Sequence, residues 1–147
     1  MGGRQACEGV LMVDRVPPAT RSRIMASVVG KSTKPERLVR SIAHAMGYRF
    51  RLHRSDLPGK PDIVFPKRKC VILVHGCFWH GHACKRDKMP KSNVAFWNDK
   101  IMKNQIRDVR VVAELEKLGW RVLILWECET KNLEVVKEKL ISFLGAR

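Results

Sequence analysis

Residues 74–85, VHGCFWHGHACK, place two cysteines, three histidines, a phenylalanine and a tryptophan within twelve positions. Thiols and imidazoles gathered this densely can hold a metal or move protons. Cys77 and Cys84 bracket His80 and His82, and Cys128 stands at the end of WRVLILWE, the most apolar run of the chain, where a sheet could carry it to the same place. Cys77, His82, Cys84 and Cys128 would form a Cys3His set, suited to tetrahedral zinc in a closed, structural site. Spacing alone leaves His80 as an alternative to His82, and Cys128 is a topological expectation. The competing reading makes the cysteines buried packing residues; a loop this rich in Gly and polar residues offers no apolar reason for two thiols. Cys70, inside CVILV, does read as a core residue, and Cys7 has no assigned role. With four ligands on the metal, His75 and His80 remain, and a histidine on a rigid loop is placed to accept a proton near neutral pH.

Two carboxylates have bland local explanations. Asp62 follows PGKP, where a lone Asp is usually turn chemistry. Glu36 is three residues after Thr33 and completes a capping box. Only their order along the chain relative to the Cys/His segment suggests more.

The elements that must position these groups are legible from periodicity. Thr20 to Gly30 reads as a short helix. The run STKPERLVRSIAHAMG predicts a second, with Leu38, Ile42 and Met46 on one face and a stop at Gly47. YRFRLH alternates as a half-buried strand, and SDLPGK is a turn. PDIVF and CVILVH form a hairpin through PKRK, so the Cys/His segment is what the chain does on leaving a buried strand. A long amphipathic helix follows, with Met102, Ile106, Val109 and Ala113 as its apolar stripe. WRVLILWE is a strand, and a last helix carries Leu133, Val136, Leu140 and Phe143. Strand–helix–strand–helix order implies an α/β fold, a mixed or parallel central sheet flanked by helices.

The chain has 147 residues, 29 Lys and Arg against 14 Asp and Glu, and a net charge of +15. One domain over residues 19–147 is expected, behind a mobile arm over residues 1–18 that mixes Gly, Pro and charge. Charge of this magnitude, spread from Arg4 to Arg147, points to a polyanion partner, although membrane surfaces attract it too. No segment approaches the roughly 18 apolar residues of a membrane span, and Gly9 to Val13 is too short for a signal-peptide core. Five cysteines, an odd number, favour thiolate ligands over a disulfide framework, and a cytoplasmic, reducing location is expected.

A helix with an inward-capable Glu, then PD at a hairpin strand, then an apolar strand ending in functional groups, resembles the core of type II restriction endonucleases. Those enzymes usually carry Glu-x-Lys on the second strand, where this chain reads ILVHGC. The string GKPD, HGCFWHGHAC, FW and RD in the next helix, and GWRVLILWEC resembles the very short patch repair endonucleases, over about Ala19 to Cys128. That resemblance implies a restriction-endonuclease-like core and a bacterial, DNA-associated enzyme. Such an enzyme recognises a T·G mismatch left by 5-methylcytosine deamination and nicks 5′ of the mispaired thymine, with catalytic Mg2+ and structural Zn2+. Carried to this chain, it makes Asp62 the magnesium ligand and His80 the general base, with Glu36 and His75 supporting the water network. It makes Cys77, His82, Cys84 and Cys128 the zinc set. Val74 stands where the family has threonine; if that residue contributes its main-chain carbonyl to magnesium, valine preserves the contact.

Phe78 and Trp79, between a zinc ligand and the expected base, would be held stiffly at the protein edge and could wedge between base pairs. Unstacking costs a few kcal/mol per step, and less at a mismatch. Met25 matches the family position that approaches from the opposite groove. Arg21, Arg23, Lys31, Lys67, Arg68 and Lys69 are candidate phosphate contacts. Trp97, Trp120 and Trp126 are assigned to packing, with Phe96 and Trp97 near enough to the site in the family pattern to matter. The expected partner is duplex DNA bearing a T·G mismatch, bound by a monomer, with mismatch-repair proteins as possible associates and no membrane. The alternatives are a zinc-stabilised DNA-binding module without catalysis and a sequence-specific restriction-type nuclease.

Overall fold

The structure, a computed structural model, describes residues 32–85 and 88–145. The arm, the short helix from Thr20 and the candidate contacts Arg21, Arg23, Met25 and Lys31 lie outside the described residues.

Helix α1 spans Lys34–Ala45. Its first turn closes as the capping spacing requires: the Thr33 hydroxyl accepts from the Glu36 N–H at 3.5 Å and donates to Glu36 Oε1 at 3.2 Å. The buried face is Glu36, Val39, Ile42 and Ala43, so it is turned from the expected Leu38–Ile42–Met46 line; Leu38 and Met46 only flank the core.

The expected strand YRFRLH contracts to β1, Arg51–Leu52. Tyr48 is spent on packing instead: its ring meets Phe65 edge-on and its hydroxyl donates to the Gly145 carbonyl at 2.7 Å. Strands β2 (Ile63–Phe65) and β3 (Cys70–His75) form the expected antiparallel hairpin through a 3-10 turn, Pro66–Arg68. Helix α2 (Val94–Lys117) then crosses over, and β4 (Arg121–Trp126) pairs parallel to β3. Helix α3 (Leu133–Leu144) closes the described chain, capped by the Asn132 side chain. The sheet is therefore mixed, in the order β1-β2-β3-β4.

Alternation along β3 sorts the core into two faces. Cys70 and Ile72 pack with Val39, Ile42, Val136 and Leu140 of α1 and α3. Val71 and Leu73 pack with Val111 and Leu115 of α2. Helices thus cover both sides, which a parallel pair needs. Among the described residues no helix is long and apolar enough to cross a membrane.

The expected apolar stripe of the long helix is corrected here. The stripe Met102, Ile106 and Val109 is 57 %, 64 % and 72 % exposed, and α2 buries Ile101, Val111 and Leu115 instead. Lys67 and Arg68 lie in the turn that starts β3, at the opposite end of that strand from His75. Arg68 donates to the Leu144 carbonyl at 2.7 Å and lies over the Tyr48 ring, tying down the end of α3.

The helix orientation is directly testable. Leu115→Ala should cost about 2–5 kcal/mol in urea unfolding, whereas Ile106→Ala should stay within about 0.5 kcal/mol. The reverse ranking would mean that α2 is turned the other way.

Candidate functional site

The parallel register pairs His75 with Trp126 at the ends of β3 and β4, and Glu127 N–H continues the ladder to the His75 carbonyl at 2.9 Å. Two residues past each pairing stand Cys77 and Cys128, and the Cys128 N–H points at Cys77 Sγ at 3.4 Å. The loop then folds back: His82 N–H donates to the Cys77 carbonyl at 2.9 Å, and His82 stacks on Trp126 with ring centroids 4.1 Å apart. One donor atom from each of Cys77, His82, Cys84 and Cys128 lies within 4.8 Å of the others. Zn–S bonds of about 2.3 Å imply edges of roughly 3.8 Å between donors, so a small contraction suffices to hold a tetrahedral ion. Burial pushes the Cys77 thiol up to about 12, with the Cys84 and Cys128 thiols adding to it. A cation is what would convert such thiols to thiolates. His80 is not in this group, so the geometry favours His82 of the two candidates.

Gly81 allows the loop to lie against α2. It has φ +64°, and a Cβ there would come within 2.9 Å of Ile101 Cγ2. From α2, Gln105 reaches the carbonyls of His80 and Gly81, and Asn104 Nδ2 donates to the Trp79 carbonyl at 2.8 Å.

His80 hydrogen-bonds through Nδ1 to Asp108 Oδ2 on α2. With Nδ1–H donating to the carboxylate, the tautomer is fixed and Nε2 is left as the acceptor, the arrangement of an oriented base. The ring stacks on His75 at 3.8 Å. Burial lowers His75 to about 4, with the neighbouring His80 as a second cause, so His75 is neutral at neutral pH.

Across a cavity of about 860 Å³ lined by His75, His80, Asp108, Trp79 and Arg107 lies Asp62. It sits one residue before β2, and its Oδ2 accepts from the Val74 N–H at 2.7 Å. Burial raises its carboxyl to about 7, partly offset by that hydrogen bond. Glu36 lines the same cavity but is occupied: Oε2 accepts from Ser32 N–H at 2.8 Å and from Arg40 Nη2 at 2.9 Å. His53 completes this side, 3.8 Å from Glu36 Oε2 and 4.0 Å from Asp62 Oδ1.

At the rim, Phe78, Trp79 and Trp97 pack edge to face at 5.1–6.1 Å, and Phe96, 53 % exposed, leans on Trp97. Phe78, Trp79 and Trp97 are half-buried. Trp120 is buried in the core as expected, and Trp126 backs His82.

Residues 13–86 match the profile of the DNA mismatch endonuclease Vsr family. The chain is 40 % identical over 131 residues to the DNA mismatch endonuclease Vsr of Escherichia coli, covering 89 % of this chain and 84 % of that protein. The chain belongs to the Vsr family. It is also 50 % identical over 133 residues to the type II nicking enzyme V.XorIIP of Xanthomonas oryzae pv. oryzae (90 % of this chain, 98 % of the relative). Against the type II nicking enzyme V.NmeAIP of Neisseria meningitidis it is 46 % identical over 129 residues (88 % and 92 %).

Within this Vsr-family chain the structure brings Asp62, Val74, His75, His80 and Glu36 to one cavity and Cys77, His82, Cys84 and Cys128 to one cluster. Sequence reasoning assigned no role to Asp108, Arg40 or His53. The RD pair of α2 carried the only signal for Asp108, and nothing marked Arg40.

Asp62 supplies a pH test. Its folded-state carboxyl titrates above the unfolded value of about 3.8, so between about pH 4 and 7 the folded chain holds a proton that the unfolded chain releases. Stability from this group therefore falls as pH rises through that window. Without added divalent cation, the thermal midpoint of the wild type should fall relative to Asp62→Asn from pH 5.5 to 7.5. Parallel curves would contradict the buried, under-compensated carboxylate.

Proposed function

We propose that this Vsr-family protein nicks one strand of duplex DNA 5′ of the mispaired thymine in a T·G mismatch, within a single endonuclease domain built on a restriction-endonuclease-like core. In this reading Mg2+ sits at Asp62 and Zn2+ fills the Cys77, His82, Cys84 and Cys128 cluster. The observation that carries it is that Asp62 and the Asp108–His80 pair line one cavity, beside a half-exposed aromatic rim. The net charge of +15 and the names of the relatives support a DNA substrate.

The chain's own groups divide the work. Asp62 offers Oδ1 to a cation while Oδ2 is fixed by the Val74 N–H. The Val74 carbonyl requires no particular side chain, so valine is compatible with a main-chain contact. Bound there, Mg2+ would neutralise phosphate charge and stabilise the leaving oxygen, keeping several waters and phosphate oxygens in its shell. His80, oriented by Asp108, takes the proton from the attacking water at Nε2. His75, neutral and stacked on His80, holds that ring in place without adding charge. Phe78 and Trp79, fixed by the cluster and by Asn104, wedge into the stack, where a mismatched step yields more readily than a paired one.

Matched and T·G duplexes incubated with and without Mg2+, with both strands read on a denaturing gel, decide the function. One Mg2+-dependent nick beside the mispaired thymine is expected. Binding without cleavage would instead describe a DNA-binding module, and a double-strand cut of matched DNA a restriction-type nuclease. Asp62→Ala should bind the mismatched duplex within a few-fold of wild type and lose at least about 100-fold in nicking, as removal of a metal or transition-state contact does. Cys84→Ser should lower the thermal midpoint and the zinc content measured by atomic absorption; full stability in a zinc-free variant would remove the structural role.

A further inference from the structure

Glu36, His53 and Asp62 offer donor atoms close enough to share an ion, but the hydrogen bonds argue against a three-ligand cage. Both Glu36 oxygens are engaged, Oε1 by the Thr33 hydroxyl and Oε2 by Ser32 N–H and Arg40. Arg40 Nη2 also lies 2.8 Å from His53 Nε2. A guanidinium can only donate, so Nε2 must accept, and the ring proton of neutral His53 is confined to Nδ1. That nitrogen faces Asp62 Oδ1 across 4.0 Å, presenting a donor to the carboxylate where a ligand would present a lone pair.

The backbone supports a placed ring. His53 follows directly on β1 with φ +44°, a left-handed conformation that side-chain-bearing residues adopt at a cost, and the side chain reaches Arg40 of α1 and lines the cavity. The cost has no explanation in the hydrophobic core, to which His53 does not belong.

We propose that His53 is a positioning residue for Asp62: Arg40, itself held by Glu36, locks the imidazole so that Nδ1–H orients the acid that receives the divalent cation. This rests on the reading of Asp62 as the cation ligand. It gives the Glu36 capping box a second purpose, as the far anchor of a Glu36–Arg40–His53–Asp62 chain that fixes the carboxylate from the side opposite Val74.

The test uses the full-length, zinc-loaded protein and two substitutions. His53→Leu keeps bulk and removes the donor; His53→Asn keeps an N–H donor near the position of Nδ1. Mn2+ and Ca2+ binding is measured by calorimetry, and nicking of the mismatched duplex is followed against Mg2+ concentration. His53→Leu should weaken Mn2+ and Ca2+ binding alike by about 10-fold, the lower end for loss of an outer-shell partner. It should raise the half-saturating Mg2+ to match and leave the rate at saturating Mg2+ within about 3-fold. His53→Asn should restore binding to within about 3-fold. Equal loss in both variants, no loss in either, or a loss confined to Mn2+, the mark of a direct imidazole ligand, would overturn the proposal. If the leucine variant does not fold, His53→Ala takes its place under the same criteria. Asp62→Ala separates the two layers: unchanged Mn2+ binding there would remove the cation reading itself, whereas lost binding with an indifferent His53 would remove only the positioning role.

Discussion

The parallel pairing of β3 with β4 is the constraint on which the site depends. Its last rung, His75 with Trp126, delivers Cys77 and Cys128 to the same sheet edge, although 51 positions separate them in the chain. Without that register the loop from Gly76 to Cys84 would have local hydrogen bonds and two glycines but no distant anchor. A metal clip across so long a span removes much of the chain entropy a flexible loop retains. What a metal there would stiffen is the segment holding Phe78, Trp79 and His80. Such an ion would act on the cavity through rigidity alone, since the four residues of the cluster do not line the cavity in which Asp62 lies.

The same strand end serves both banks of the cavity. Val74 N–H holds Asp62, His75 stacks under His80, and Cys77 begins the cluster, all within four positions of β3 and its exit. Helix α2 then fastens the arrangement from one side, through Asp108 on His80 and Asn104 on the Trp79 carbonyl. Helix α1 fastens it from the other, through Glu36 and Arg40. Small displacements of either helix would therefore change the distance between Asp62 and His80 before they disturbed the core.

Much of this was legible before the structure. The capping box at Thr33 and Glu36, the β2–β3 hairpin and the strand–helix–strand–helix order all have local causes, and Cys128 followed from assuming that its strand joins the sheet. The error over α2 is informative. The face that packs inward reads Ile101, Asn104, Asp108, Val111 and Leu115, with two polar residues in mid-stripe because they hold the loop and His80. Those interruptions hide the true period, and Met102, Ile106 and Val109 make a cleaner apolar line that faces water. His53 escaped for a related reason: a lone histidine after a two-residue strand has no periodic context, and its left-handed backbone leaves no trace in residue type. Functional positions break the patterns from which sequence reasoning works.

Three of the acids that line the cavity, Glu36, Asp108 and Asp62, are compensated in three ways. Glu36 has a guanidinium, a backbone N–H and a hydroxyl on its two oxygens. Asp108 has the Nδ1 of His80. Asp62 has one backbone N–H, at Val74, and a histidine ring 4.0 Å away. A buried carboxylate with so little compensation is costly when ionised, which is why burial lifts its titration to about 7. In a chain of net charge +15, with 29 Lys and Arg, a side-chain partner for Asp62 would have been easy to place, and Arg40 comes close to being one. It is instead turned to Glu36 and His53, so the field of Asp62 remains directed into the cavity. A diffusible divalent ion arriving with a phosphate would find its strongest local attraction there, and it would lose that attraction if Arg40 were redirected to Asp62.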